Sequence, residues 1–191
     1  MWAVVGLGNP KRRYFQTRHN VGRMVIDELL RRTSRRFPPA IIAGKPYQAL
    51  RLDLGGGEFL VARLRSYMNI SGPAVAHLIS HNPVGIEELL VVVDDINLPL
   101  GTLRLRPFGS DGGHKGLRSI IEVLQREDFP RLRLGIDPPP AGVDASDYVL
   151  SPFDSGEREG AVQMIALAGD CVEMVVEQGV ETAMQRFNKR K

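Results

Sequence analysis

Apolar residues in this chain come in two rhythms that alternate, short unbroken runs and stretches at helical spacing. Trp2 to Val5 is a run of strand length, closed by Gly6, Gly8, Asn9 and Pro10. A polar loop with Tyr14, Arg18, His19 and Asn20 follows, and then Val21, Met24, Val25, Ile26, Leu29 and Leu30 recur at helical spacing. Asp27 and Glu28 stand four residues before Arg31 and Arg32, which supports a helix, and the arginines suit the negative end of its dipole. Pro38 and Pro39 end that segment. Residues 47–54 and 59–64 flank Gly55, Gly56 and Gly57, the pattern of a β-hairpin.

The second half repeats the alternation. Ser66 to Gly72 is a loop that feeds a helix with Ala74, Val75, Leu78 and Ile79 on its apolar side, and Ser71 is placed to cap it. Leu89 to Val93 is the best candidate for a central parallel strand and ends in Asp94 and Asp95. Thr102 to Arg106 is a strand with alternating arginines, followed by a glycine-rich loop, Gly109 to Gly116, that holds His114 and Lys115. Leu117, Ile120, Ile121 and Leu124 mark the next helix, and Leu132 to Ile136 one more buried strand. The last third is helical, opened by Asp154 and Glu157 in the spacing of a capping box. Gly179 interrupts it, and a short helix carries Phe187 to the tail Lys189, Arg190 and Lys191. Strands alternating with helices predict one α/β domain, residues 1–191, with a mixed, largely parallel sheet.

Composition narrows the class without changing it. At 191 residues the chain can bury a sizeable core, and 43% apolar with 25% charged residues is ordinary for a globular protein. The single cysteine, Cys171, excludes an internal disulfide framework and a multi-cysteine zinc site, and it reads as a small core residue. No apolar run approaches membrane-spanning length and no secretory pattern opens the chain, so a cytoplasmic protein with no membrane contact is expected. Net charge is +3 and the pI about 9.2. Arginines cluster at 31, 32, 35 and 36, at 104 and 106, and at 131 and 133, with Lys115 and Arg118 between, while acids concentrate in the last forty positions. That asymmetry predicts a basic face suited to nucleic acid. His77 and His81, four apart on a helix, lack a third ligand and read as a solvated helix face.

The polar residues at strand ends carry the chemistry. Asn9 and His19, then Tyr67, Met68 and Asn69, then Asp94 and Asp95, lie in loops that converge at one end of a parallel sheet, with His114 in a fourth loop. A histidine whose tautomer is fixed by a carboxylate is a general base, and asparagine amides polarise a carbonyl or hold a water. No serine or cysteine stands in a nucleophile-elbow context, which favours hydrolysis by direct attack of water. Replacing Asp94 by asparagine is then expected to cost less than removing His19.

The segments GLGNP with Tyr14, TRHNVG, YMNISG, DDINLPLG and GSDGGHKGL, with RLRLGI and YVLSPF after them, resemble the successive signatures of bacterial peptidyl-tRNA hydrolase from end to end. The resemblance implies a three-layer α/β sandwich, a twisted mixed sheet flanked by helices, in a monomer that needs neither cofactor nor metal. It implies hydrolysis of the ester between a peptide and the terminal ribose of tRNA, recycling prematurely released peptidyl-tRNA during translation. By that resemblance His19 activates water, Asp94 supports it, and Asn9 distinguishes N-blocked from free aminoacyl esters. Tyr14, Tyr67, Met68, Asn69, His114 and Lys115 would bind substrate, and Arg106 and Arg133 would clamp phosphates, so that the acceptor stem, the CCA end and the nascent peptide are all contacted.

Four positions depart from the family pattern: Lys11 and Asp137 stand at common glycines, Asn97 at an acid, and Lys115 at a substrate-binding asparagine. A non-catalytic RNA-binding member of the fold, a role some plant organellar relatives have in splicing, is the alternative, and the full set of Asn9, His19, Asn69 and Asp94 argues against it. A dinucleotide loop at Gly6 and Gly8 fails because Lys11 takes the place of the third glycine.

Overall fold

The computed structural model describes residues 1–33, 40–44, 46–53 and 58–188. Seven strands form one sheet in the order β2-β3-β4-β1-β5-β7-β6. They are β1 (Ala3–Gly6), β2 (Ala40–Gly44), β3 (Tyr47–Asp53), β4 (Glu58–Leu64), β5 (Leu89–Asp95), β6 (Leu103–Arg106) and β7 (Arg131–Gly135). The sheet is mixed as expected, with parallel pairing at its centre: β1 pairs parallel with β4 and β5, and β5 with β7. The hairpin β3–β4, the added strand β2 and the far edge β6 are antiparallel. Arginines 35 and 36, prolines 38 and 39, the glycines joining β3 to β4 and the basic tail lie outside the described residues.

Alternation along each strand sorts the core into two layers. Val4, Val61, Leu90, Val92, Leu132 and Leu134 face α1 (Val21–Thr33), α5 (Arg158–Gln178) and α6 (Val180–Phe187). Ala3, Val5, Leu60, Ala62, Val91 and Val93 face α2 (Ser71–Ser80) and α3 (Lys115–Leu124). These layers are the sandwich that the family resemblance implies. Cys171 lies fully buried in the first, its thiol pushed up to about 12 by burial and then by Asp170, so it is no nucleophile.

Two motif glycines serve packing. A Cβ on Gly6 would sit 2.2 Å from the Gly22 carbonyl oxygen, and one on Gly22 would sit 2.2 Å from that of Val92. Helix α1 therefore rides directly on β1 and β5, which sets His19, just before α1, at the end of the sheet.

Some local expectations differ. Ser71 does not cap α2; it is the first helical residue, and its hydroxyl donates to the Met68 carbonyl at 2.8 Å. Only half of the capping box forms: the Asp154 N–H donates to Glu157 Oε2 at 2.6 Å, but no side-chain bond returns from Asp154. Asp27 pairs with Arg63 at 2.5 Å, whereas Glu28 holds both Arg31 and Arg32. Arg32 is no free cation either, since it ties α1 to Asp170 and the Ala166 carbonyl of α5, each at 2.7 Å. The His77 and His81 rings stack at 3.9 Å, with His77 set edge-on to Tyr47.

Candidate active site

The loop after β1 reaches α1 through two 3-10 turns, Arg12–Tyr14 and Arg18–Asn20. The second turn is pinned on both sides. Asn20 bonds the backbone of Asn9 twice, accepting from its N–H at 2.9 Å and donating to its carbonyl at 3.0 Å. Arg18, 2% exposed, pairs with Glu157 at 2.5 Å and donates to Ser151 Oγ and the Pro152 carbonyl. Its guanidinium lies 4.3 Å from the centre of the Tyr148 ring. A buried cation next to His19 thus fastens this turn to the segment that carries α4 (Ala145–Val149).

His19 lies between that turn and the end of β5. Its Nδ1 stands 2.9 and 3.0 Å from the two carboxylate oxygens of Asp94. Asp94 also meets His114, whose Nε2 is 3.1 Å from Oδ1. His114 is the N-cap of α3, where its Nδ1 accepts the N–H groups of Gly116 and Leu117, both at 3.2 Å. With Nδ1 committed as an acceptor, the ring proton of His114 sits on Nε2 and points at Asp94. Neither nitrogen of His114 is then free to take a proton from water. His19 differs: Nδ1 donates to Asp94, and Nε2 has no partner among the described residues. Burial pushes the Asp94 carboxyl up, but the two imidazoles outweigh it and hold the group well below the usual carboxylate range. Asp94 is an anion wherever the protein is folded at ordinary pH.

These groups open into a cleft of about 400 Å³. Asn9, Tyr14, His19, Tyr67, Met68, Asn69, Asp94, His114, Lys115 and Arg133 all line it, so ten of the eleven residues expected from the sequence meet there. Arg106 does not; it is exposed on the edge strand β6. Asn9 is 6% exposed, and its Oδ1 accepts the Met68 N–H at 3.0 Å, which leaves the amide Nδ2 as the end free to donate. The ligand atoms of His19, Asp94 and His114 lie within 4.8 Å of one another, close enough to hold a metal ion, and the same contacts are fully accounted for as N–H bonds to a carboxylate.

The cleft has a wall that the sequence did not reveal: Ile96 with Ala145, Ser146, Val149 and Leu150. Helix α4 is too short for a hydrophobic period, and its one readable signal is Asp144, whose carboxylate caps it at Ser146 N–H, 2.8 Å. Tyr148 anchors it from behind by donating to the Ile136 carbonyl at 2.6 Å. Arg131, expected on a basic face, is instead 1% exposed. Burial, and then Arg133, push its guanidinium down to about 10, and it serves as a strut, donating to the carbonyls of Gly109, Ser110, Glu127 and Phe129. Asp95 holds Arg133 at 3.1 Å, aiming it along the cleft rim.

The departures from the family pattern find local uses. Asn97 donates to Asp95 Oδ1 through its backbone N–H, 2.9 Å. Asp137 adopts φ +61°, the conformation a glycine would take freely, and its carboxylate accepts the Leu100 N–H at 2.9 Å. Lys11 Nζ lies 5.6 Å from the centre of the Tyr67 ring. Lys115 is exposed at the first position of α3, on the cleft.

A free imidazole nitrogen backed by a buried carboxylate, in a cleft with amide donors at one end of an α/β sheet, is the equipment of a hydrolase. Comparison with known proteins narrows this. The family model described as peptidyl-tRNA hydrolase matches residues 3–191. A peptidyl-tRNA hydrolase of Methylacidiphilum infernorum is 44% identical over 186 residues, 97% of this chain and 96% of its own. That of Aquifex aeolicus is 43% identical over 187 residues, 98% and 96% of the two chains. The solved structure of peptidyl-tRNA hydrolase from Acinetobacter baumannii superposes with a TM-score of 0.89 at 30% identity, covering 100% of this chain and 96% of that one. The chain belongs to the peptidyl-tRNA hydrolase family.

Proposed function

We propose that this chain hydrolyses the ester joining a peptide, or an N-acyl-aminoacid, to the terminal ribose of tRNA, with His19 as general base. The observation that carries this is the asymmetry of the two imidazoles on Asp94: His114 is locked by a helix cap, and His19 keeps Nε2 open to the cleft. A water between Nε2 and the ester carbonyl carbon gives its proton to His19 as its oxygen attacks. Asp94 stabilises the imidazolium that forms. The tetrahedral oxyanion accepts from the Asn69 amide N–H or the Lys115 ammonium, and collapse returns the proton from His19 to the departing ribose oxygen. Ser146 makes no hydrogen bond to either histidine among the described residues, so water rather than a side-chain hydroxyl is the nucleophile.

Asn9 supplies selectivity. Because Met68 N–H occupies its oxygen, the cleft sees a donor suited to the acyl carbonyl that a blocked substrate has and a free aminoacyl ester lacks. Tyr14 and Tyr67 flank the bound chain end, and Arg133 with Arg106 holds phosphates of the acceptor arm. Residues 1–191 act as one domain, a monomer working in the cytoplasm on peptidyl-tRNA. Among the described residues no helix is long and apolar enough to cross a membrane. The test is release of acid from N-acetyl-aminoacyl-tRNA beside the unblocked ester. Fast cleavage of the first only is expected, with Asn9→Ala narrowing the gap; equal cleavage of both by the parent would overturn the selectivity reading.

A further inference from the structure

Among the described residues Phe108 is the most exposed large apolar side chain, 67% exposed, and nothing in the cleft accounts for it. Its setting is basic and rigid. Residues i and i+2 of a strand share a face, and the antiparallel register sets Arg104 opposite Arg133 and Arg106 opposite Arg131. One face of the sheet edge therefore carries an arginine track that starts at the cleft with Arg133 and continues through Arg104 to the exposed Arg106. Among the described residues neither Arg104 nor Arg106 has an acidic partner. Phe108 follows two residues after Arg106.

The chain behind Phe108 is fixed. Arg131 grips the carbonyls of Gly109 and Ser110, and the Gly109 N–H donates to Glu127 O at 3.2 Å. Further along, Asp111 accepts the Gly113 N–H at 2.6 Å and pairs with Arg118 at 3.5 Å. An aromatic ring held out into water on a braced loop, at the end of unpaired arginines, has the chemistry of a stacking platform beside a phosphate track.

The register also gives the distance. Asp95 at the cleft pairs with Gly135, and Arg106 pairs with Arg131, at opposite ends of β7. At roughly 3.3 Å per residue that strand separates the two levels by about 13 Å. Stacked nucleotides rise about 3.4 Å each, so this spans about four of them. The unpaired end of an acceptor arm, CCA and the nucleotide before it, has that length, so with the terminal ester in the cleft the first base pair would fall at the level of Arg106.

We propose that Phe108 stacks on the open face of the terminal base pair of the acceptor stem, a docking contact for tRNA outside the catalytic cleft. The inference rests on the hydrolase reading, and its test keeps the two apart. Two substrates are compared: an N-acetyl-aminoacyl ester of an acceptor minihelix, and the same ester on the trinucleotide CCA, which has no base pair. Hydrolysis of both by the parent secures the underlying activity; hydrolysis of neither would remove that reading and this one with it. Phe108→Ala should raise KM for the minihelix on the order of five- to 150-fold, the usual worth of one base stack, with kcat and the salt slope unchanged. KM for the trinucleotide should stay within twofold, and Phe108→Trp should keep parent KM and show fluorescence quenching by the minihelix alone. An unchanged minihelix KM in Phe108→Ala would overturn the proposal, as would an equal loss on both substrates or recovery of parent KM by Phe108→Leu.

Discussion

The shared carboxylate makes Asp94→Asn more damaging than a simple loss of charge. His114 must donate from Nε2, because its Nδ1 is held by two backbone N–H groups. The asparagine oxygen therefore has to take the Oδ1 position, 3.1 Å from His114. Its amide nitrogen then falls at the Oδ2 position, 3.0 Å from His19 Nδ1. An Nδ1–H that still reached the oxygen at 2.9 Å would also face that N–H, so the favoured arrangement has the amide donating to Nδ1. His19 is driven to carry its proton on Nε2 and ceases to be a base. To act, it must break that bond, about 1 kcal/mol, and leave an N–H facing an N–H, about 2 kcal/mol. It also loses a charge-assisted bond in the transition state, about 2 kcal/mol. The sum, about 5 kcal/mol, is on the order of a 5000-fold loss in kcat. This corrects the expectation from the sequence that the substitution costs less than removing His19, because the carboxylate is shared with a His114 whose tautomer is fixed. Removing His114 frees the amide to rotate, so the pair Asp94→Asn with His114→Ala should be about tenfold faster than Asp94→Asn alone. Single-turnover hydrolysis of N-acetyl-aminoacyl-tRNA by the four proteins of this cycle reads the coupling directly. If the two losses simply multiplied, the tautomer argument would be wrong.

Other consequences are separately measurable. Arg133→Ala should raise KM and flatten its salt dependence by about one phosphate contact while sparing kcat, and an unchanged slope would exclude that contact. Arg18→Ala removes a buried cation from Glu157, Ser151 and Pro152, and should cost about 3 kcal/mol by denaturant titration; a loss below 1 kcal/mol would show that the tie is dispensable. Because the folded-state carboxyl of Asp94 is depressed, its contribution to stability is present above the unfolded value and lost as pH falls. Between about pH 5 and pH 3 the parent should therefore lose more stability than Asp94→Asn. Gly22→Ala should fail to fold or lose several kcal/mol, since its methyl group would meet the Val92 carbonyl at 2.2 Å.

Much of this was readable from residue order. Apolar runs at Trp2 to Val5 and Leu89 to Val93 became adjacent parallel strands, and the polar residues at their ends came together because carboxyl ends of parallel strands share one side of a sheet. That a histidine would meet a carboxylate followed from that topology; that the pair is His19 with Asp94 came from the family resemblance. The second imidazole did not, because the contact of His114 with Asp94 depends on where α3 begins, and a single cap residue leaves no period in a sequence. Buried Arg18 and Arg131 were hidden for the opposite reason: a cation reads as surface unless the backbone carbonyls and the acid that satisfy it are known. Strand β2 escaped notice since Ala40–Gly44 is a short edge segment next to two prolines. The glycines of the opening motifs look like a phosphate loop in one dimension and prove to be a close contact between strand and helix in three.

The central claim is that His19 activates water while His114 does not. It is tested most directly by saturating single-turnover hydrolysis of N-acetyl-aminoacyl-tRNA with the parent, His19→Ala and His114→Ala. The expected result is release of N-acetyl-aminoacid by the parent, a loss on the order of 100-fold or more without His19, and a loss of about tenfold without His114. A His19→Ala protein that kept near-parent turnover, or a His114→Ala protein that lost more than His19→Ala, would contradict it.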